Sequence, residues 1–169
     1  TIKNVVSLEP THLSCYSLKI EDNTIFGKML NQGDLKPVDD ELDRKMYYEL
    51  KNQLNFNGYK HYEISNFSKD GYQCRHNLIY WKALNYIGVG AGAHSYVGNI
   101  RYCNQDSIKE YIDCINNEKL PKIELENLTE NDKLSEYIIL GLRLIEGIDV
   151  LEINNRFKID FNLKFQKEI

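Results

Sequence analysis

Between Cys74 and Tyr96 the chain reads CRHNLIYWKALNYIGVGAGAHSY, which gathers two histidines, an adjacent Tyr–Trp pair and an alternating glycine run. His76 is a candidate ligand for a metal or haem iron, Asn77 can orient it, and Tyr80 with Trp81 can supply a flat apolar wall. The competing reading is structural: His76 and Asn77 hydrogen-bond a loop between two β segments while Trp81 plugs the core. Gly88, Gly90 and Ala93 satisfy a loose G-x-G-x-x-A pattern, but a dinucleotide site needs a helix next, to meet the pyrophosphate. His94, Ser95, Tyr96 and Val97 favour a strand instead. The glycines therefore read as a strand whose missing side chains let a ligand or another backbone come close. Elsewhere, Glu63 in YEISNF can act as an acid or base or pair with a cation such as Arg75. Ser65 and Ser95 lack the G-x-S-x-G elbow of a hydrolase.

Composition narrows the classes. The chain has 169 residues, 42% hydrophobic and 27% charged, with a formal net charge of -4. That is enough for one core and an appendage. Without a basic block, electrostatic nucleic-acid binding is not expected. No apolar run reaches the length of a membrane span, and the first residues do not resemble a signal peptide. Cys15, Cys74, Cys103 and Cys114 show no clip spacing such as CxxC, so they read as reduced thiols in a cytoplasmic setting.

Several elements must position these residues. TIKNVVSLEP resembles the tail of a helix and a loop, which suggests a piece of a longer protein. Leu13 to Ile20 is an apolar, β-forming run. Leu42, Met46, Leu50 and Leu54 form one helical stripe, capped before it by Asp39 or Asp40 and after it by Gly58. YKHYEISNF resumes β-type sequence. Strand, helix and strand in this order suggest a βαβ unit with parallel pairing. NYIGVGAGAHSYVGNIRYCN reads as two strands around Gly98-Asn99. Ser107 and Glu110 form a capping box before a helical face of Ile108, Tyr111, Ile112 and Ile115. The polar stretch 118–128 is the expected linker between a domain over 1–117 and another over 129–169. Thr129 opens a helix running through Ile145 and stopped by Gly147, and two shorter helices close the chain.

LSCYSLKIEDNTIF, GYKHYEISNFSKDGYQCRHNLIYWKALNYIGVGAGAHSY and LGLRLIEGID together resemble the HemW-type radical S-adenosylmethionine proteins, relatives of oxygen-independent coproporphyrinogen III oxidase. The most specific element is HNxxYW, present as His76, Asn77, Tyr80 and Trp81. The resemblance implies an α/β fold: the C-terminal part of an open (β/α)6 barrel with extra strands, followed by the start of a helical C-terminal domain. It implies a 4Fe–4S cluster held by a CxxxCxxC loop, with S-adenosylmethionine on the remaining iron. That loop does not occur here, so the cluster is expected upstream and the fragment alone is expected to be inert. By the same resemblance, Tyr16, Leu18 and Lys19, together with Gly92, Ala93 and His94, flank S-adenosylmethionine. His76 is the candidate ligand of haem iron, with Tyr80 and Trp81 covering the porphyrin and Arg75 pairing with a propionate.

HNxxYW marks the haem-chaperone branch, so the resemblance implies haem binding and transfer to an acceptor protein, one at a membrane included. The alternatives are the oxidase, an oxidoreductase of porphyrin biosynthesis that decarboxylates coproporphyrinogen III, and a non-catalytic partner-binding domain. An exposed apolar edge near Leu13 to Ile20 would favour self-association, as a homodimer for example.

Overall fold

Short apolar clusters set the layout of the chain, which a computed structural model describes over residues 2–168, Glu124 and Leu125 by backbone alone. It divides after Cys74 into two units. The first contains α1 (Ile2–Val6), β1 (His12–Ser14), α2 (Ile25–Gln32), α3 (Asp40–Phe56), β2 (Lys60–Glu63) and β3 (Asn66–Ser68). The second contains α4 (Arg75–Trp81), β4 (His94–Val97), β5 (Ile100–Asn104), α5 (Ile108–Asn116), β6 (Lys122–Asn127), α6 (Glu130–Gly141), α7 (Val150–Phe157) and α8 (Phe161–Lys164).

In the first unit, α3 forms where the apolar stripe lies. Asp39 caps it by accepting the Glu41 and Leu42 amides, and Gly58 follows its end at φ 82°. Only the C-terminal half of the stripe is covered: Leu54 is buried with Tyr59 and Phe67, and Leu50 packs on them, whereas Leu42 and Met46 are exposed. The sheet corrects two expectations. Its order is β1-β3-β2 with both pairings antiparallel, so β1 and β2 run in the same direction but β3 lies between them. The α3 crossover was read correctly as to direction and wrongly as to neighbours, because the tight turn after Glu63 lets β3 fold back into the gap. The run Leu13 to Ile20 is also a strand only as far as Ser14. The Cys15 amide still donates to the Ser65 carbonyl at 2.7 Å. Beyond it β3 offers no partner, and Tyr16 and Leu18 stand exposed.

The second unit has a three-stranded antiparallel sheet, β4-β5-β6, turned at Gly98 (φ 66°) as the sequence suggested. Three expectations change here. The glycine run ahead of His94 is irregular backbone, preceded by an isolated bridge from Tyr86 to Tyr96. The polar stretch 118–128 contains β6, whose alternation Lys-Ile-Glu-Leu-Glu-Asn suits an edge strand against β5. His76 lies on a helix, not a loop, because HNLIYW has no Gly or Pro to break α4 before Lys82. Ser107 caps α5 by accepting the Glu110 amide. Thr129 and Asp132 form a reciprocal capping box on α6, which ends at Gly141 rather than near Ile145. There a Cβ would meet Ile148, so the close approach of the following turn ends the helix. Leu134, Tyr137, Ile153 and Phe161 from α6, α7 and α8 form a core with Ala83.

Two measurements follow from the cores. Phe67 is fully buried beneath the stacked His61 ring, 4.5 Å between centroids. Phe67→Ala is expected to cost about 3–5 kcal/mol in urea denaturation. Burial above all, with Glu152 beside the phenol, pushes the Tyr137 pKa from 10.0 up to about 12. The folded state thus favours the protonated phenol. The stability this confers is complete below pH 10 and is lost as pH rises through about 12. In tyrosinate absorbance the latest-titrating phenol should disappear in Tyr137→Phe.

Candidate functional site

α4 carries HNxxYW on less than two turns of helix, and its end is fixed from outside. Past Trp81 the chain leaves the helix through Ala83, a non-glycine residue at φ 45°. The guanidinium of Arg156 on α7 donates to the Lys82 carbonyl at 3.2 Å and the Ala83 carbonyl at 2.8 Å. Carbonyls at a helix C-terminus have no partner within the helix, and a cation there also suits the macrodipole. Arg156 itself lies over the Tyr137 ring, 4.8 Å from its centroid. The helical core therefore holds the exit of α4.

Helical spacing brings His76 and Tyr80 together at i and i+4. Tyr80 Oη and His76 Nε2 are 2.9 Å apart and their rings meet edge-on, while His76 remains exposed. Tyr80 in turn meets Tyr86 edge-on at 4.7 Å. A cavity of about 450 Å³ opens beside this aromatic series. Tyr80, Trp81, Tyr86, His94 and Tyr96 line it, with Arg101 and Glu136. Arg101 on β5 pairs with Glu136 at 2.6 Å and Glu126 at 2.8 Å. The hydrogen bond to Glu136 is the main reason its pKa rises above the ordinary arginine value. Burial likewise raises the Tyr86 phenol. The Trp81 indole Nε1 is buried without a hydrogen-bond partner, and Arg143 covers the ring at 4.3 Å.

Within the glycine run Gly88 closes against β4 with almost no free space, whereas Gly90 has open space beside it. A Cβ on Gly88 would stand 2.2 Å from the His94 carbonyl oxygen. Asn104, buried on β5, donates its amide to the Gly88 and Gly90 carbonyls at 3.3 and 2.9 Å. The Gly92 amide donates to Gln105 O and the Ala93 amide to Gly90 O. These bonds occupy the Gly92 and Ala93 amides and leave carbonyl oxygens with spare lone pairs. The expectation that another backbone approaches the glycines holds: that backbone is the chain's own.

The structure thus brings Tyr80, Trp81 and His94 to one cavity, with His76 joined to it through Tyr80. Tyr16, Leu18 and Lys19 belong to the first unit and stand exposed, Lys19 paired with Glu21 at 2.7 Å. A groove of about 520 Å³ in that unit is lined by Tyr16, Cys15, Met46, Tyr47 and Leu50 among others. Glu63 is fully buried and accepts the Ser65 amide at 2.9 Å and the Asn66 side-chain amide. Among the described residues no group of three or more His, Cys, Asp and Glu side chains is placed to hold a metal ion. The four cysteines are unpaired and scattered over both units, so they do not fit an iron–sulfur cluster. No helix among them is long and apolar enough to cross a membrane. The sequence reading missed Tyr86, Tyr96, Arg101, Asn104 and Glu136. Arg101, flanked by Ile100 and Tyr102 within β-type sequence, was the available signal.

Comparison with known proteins shows what the chain is similar to. The family described as the HemN C-terminal domain matches residues 128–169. The protein named heme chaperone HemW from Lactococcus lactis is 34% identical over 99% of this chain, which spans 44% of that protein. The heme chaperone HemW of Bacillus subtilis is 36% identical over 88% of the chain, or 39% of its own length. The solved coproporphyrinogen III oxidase HemN of Escherichia coli, described as a radical SAM enzyme, superimposes with a TM-score of 0.72 over 99% of this chain and 41% of that one. At 19% identity this last likeness shows the α/β fold alone. The chain spans less than half the length of these relatives.

Asn104 provides the check on this site. Asn104→Ala removes both bonds to the glycine carbonyls, leaves the cavity-lining side chains in place, and is expected to cost about 1–3 kcal/mol. Amide hydrogen exchange should accelerate at Gly90 and Gly92 before it does so in α6.

Proposed function

On the premise that this chain is homologous to the C-terminal part of the HemW haem chaperones, we propose that it serves in haem binding and in delivery of haem to an acceptor protein. The observation that carries the reading is HNxxYW, set on α4 so that Tyr80 and Trp81 line the aromatic cavity and His76 touches Tyr80. Haem is cargo in this reading. An exposed histidine in contact with a wall residue of an apolar-walled pocket suits a ligand that must be released again. Burial of the whole macrocycle would suit permanent retention. His76 would ligate the haem iron, and its exposure would leave the bound haem accessible to an acceptor.

The whole protein of this kind is proposed to be a radical S-adenosylmethionine protein, with residues 1–117 the C-terminal part of its open (β/α)6 barrel and the cluster-binding loop upstream of them. S-adenosylmethionine contacts are proposed for Tyr16, Leu18 and Lys19 within the first unit. They are proposed also for Gly92, Ala93 and His94 within the second. At Gly92 and Ala93 the amides are engaged, so an adenine amino group would be read by carbonyl oxygens. The fold likeness to the E. coli oxidase supports a second reading, oxidation of coproporphyrinogen III by the whole protein. Product formation from that substrate is its test.

Haem titration followed by the Soret band tests the first reading. His76→Ala should shift the band and weaken binding by about tenfold or more, roughly 1.4 kcal/mol. Since His76 is exposed, stability should change by no more than about 1 kcal/mol. An unchanged spectrum with a large loss of stability would make His76 a structural staple and refute its ligand role.

A further inference from the structure

Arg101 is the permanent cation among the described residues lining the aromatic cavity, and nothing in HNxxYW accounts for it. Its side chain is 27% exposed, and its two carboxylate partners differ. Glu136 on α6 is equally sheltered, whereas Glu126 at the end of β6 is 51% exposed. A pair with a half-exposed partner contributes little, because water competes for both charges. It can therefore be exchanged for another carboxylate at little cost. The pair with Glu136 shares the shelter of the cavity and has the tighter geometry, so it fixes where the guanidinium points. Around this cation the walls are flat: the guanidinium carbon lies 5.8 Å from the Tyr96 ring centroid, and Tyr86 and Tyr80 continue the surface.

We propose that Arg101 is the carboxylate anchor of this cavity, taking one carboxylate of a planar aromatic di-acid in place of Glu126 while Glu136 keeps it aimed. The inference rests on the haem reading above and deepens it: the ligand class is a tetrapyrrole carrying free propionates. Five N–H donors in a planar fork allow Arg101 to hold Glu136 and accept a second carboxylate at the same time, which an ammonium does with less directionality. Arg75, named from the sequence as the propionate partner, opens α4 outside the residues that line the cavity.

The test compares haem with haem dimethyl ester, whose ring and iron are the same but whose carboxylates are blocked. The wild-type chain should bind haem about tenfold more tightly than the ester, and Arg101→Gln should abolish that difference by weakening haem alone. Glu126→Gln removes the competing carboxylate and should tighten haem several-fold without affecting the ester. It also keeps the proposal decidable if Arg101→Gln fails to fold. Equal affinity of the wild type for haem and ester, or an Arg101→Gln variant that loses both ligands equally, overturns the anchor. If haem binds with a His76-dependent Soret band but without ester discrimination, the haem reading stands and this inference falls. If the wild type binds neither ligand, both fall.

Discussion

Two carbonyl oxygens at the end of a short helix organise the second unit. α4 is seven residues long, too short to persist by its own hydrogen bonds. Its exit strands the Lys82 and Ala83 carbonyls, and Arg156 satisfies both while resting on Tyr137 and Phe157. Hydrogen bonds to a charged donor contribute about 1.5–3 kcal/mol, comparable to the packing of one core side chain. The clamp also fixes Ala83 in a conformation that a residue with a Cβ adopts only under constraint. Tyr80 and Trp81 point where they do because the helix stops where it does, and that stop is set by α7.

The opposite wall of the cavity is held by a different device. Asn104 and Ser95, both buried in the sheet, hydrogen-bond the glycine run and press it onto β4. The helical core fixes one wall and the sheet fixes the other, through polar contacts in which most partners are backbone groups. Among the side chains lining the cavity, the Arg101–Glu136 pair joins β5 to α6, and Ala83 and Leu140 belong to the helical core as well.

Legibility of the chain followed the range of the signals. Local ones were read correctly: the Asp39 and Thr129 caps, the stripe on α3, the turn at Gly98 and the helical ends of the chain. Signals that depend on distant partners were not. Nothing within LSCYSLKI reveals that β3 supplies only three residues of partner, so the strand was read too long. The order of β1 and β2 depends on a hairpin that inserts between them, which periodicity does not encode. HNLIYW lacks a stop signal but is too short for periodicity to call, and flanking β-type sequence biased it toward a loop. At the site, Tyr80 and Trp81 were legible from motif spacing. Arg101, Tyr86 and Glu136 became visible only once the sheet and α6 set them around one cavity.

The insertion of β3 between β1 and β2 also orders events in time. β2 and β3 are joined by a tight turn and can pair within microseconds of collapse. β1 pairs His12 with Ser68, across a loop containing two helices, so its closure entropy must be met before any ladder bond forms. On a ribosome adding about 5–20 residues per second, β1 emerges seconds before its template exists. Through that interval its backbone donors and acceptors are open to any other strand edge. The shortness of β1 and the exposed, irregular run that follows it then serve a purpose the folded state does not display: they keep the waiting segment a poor template for the wrong partner.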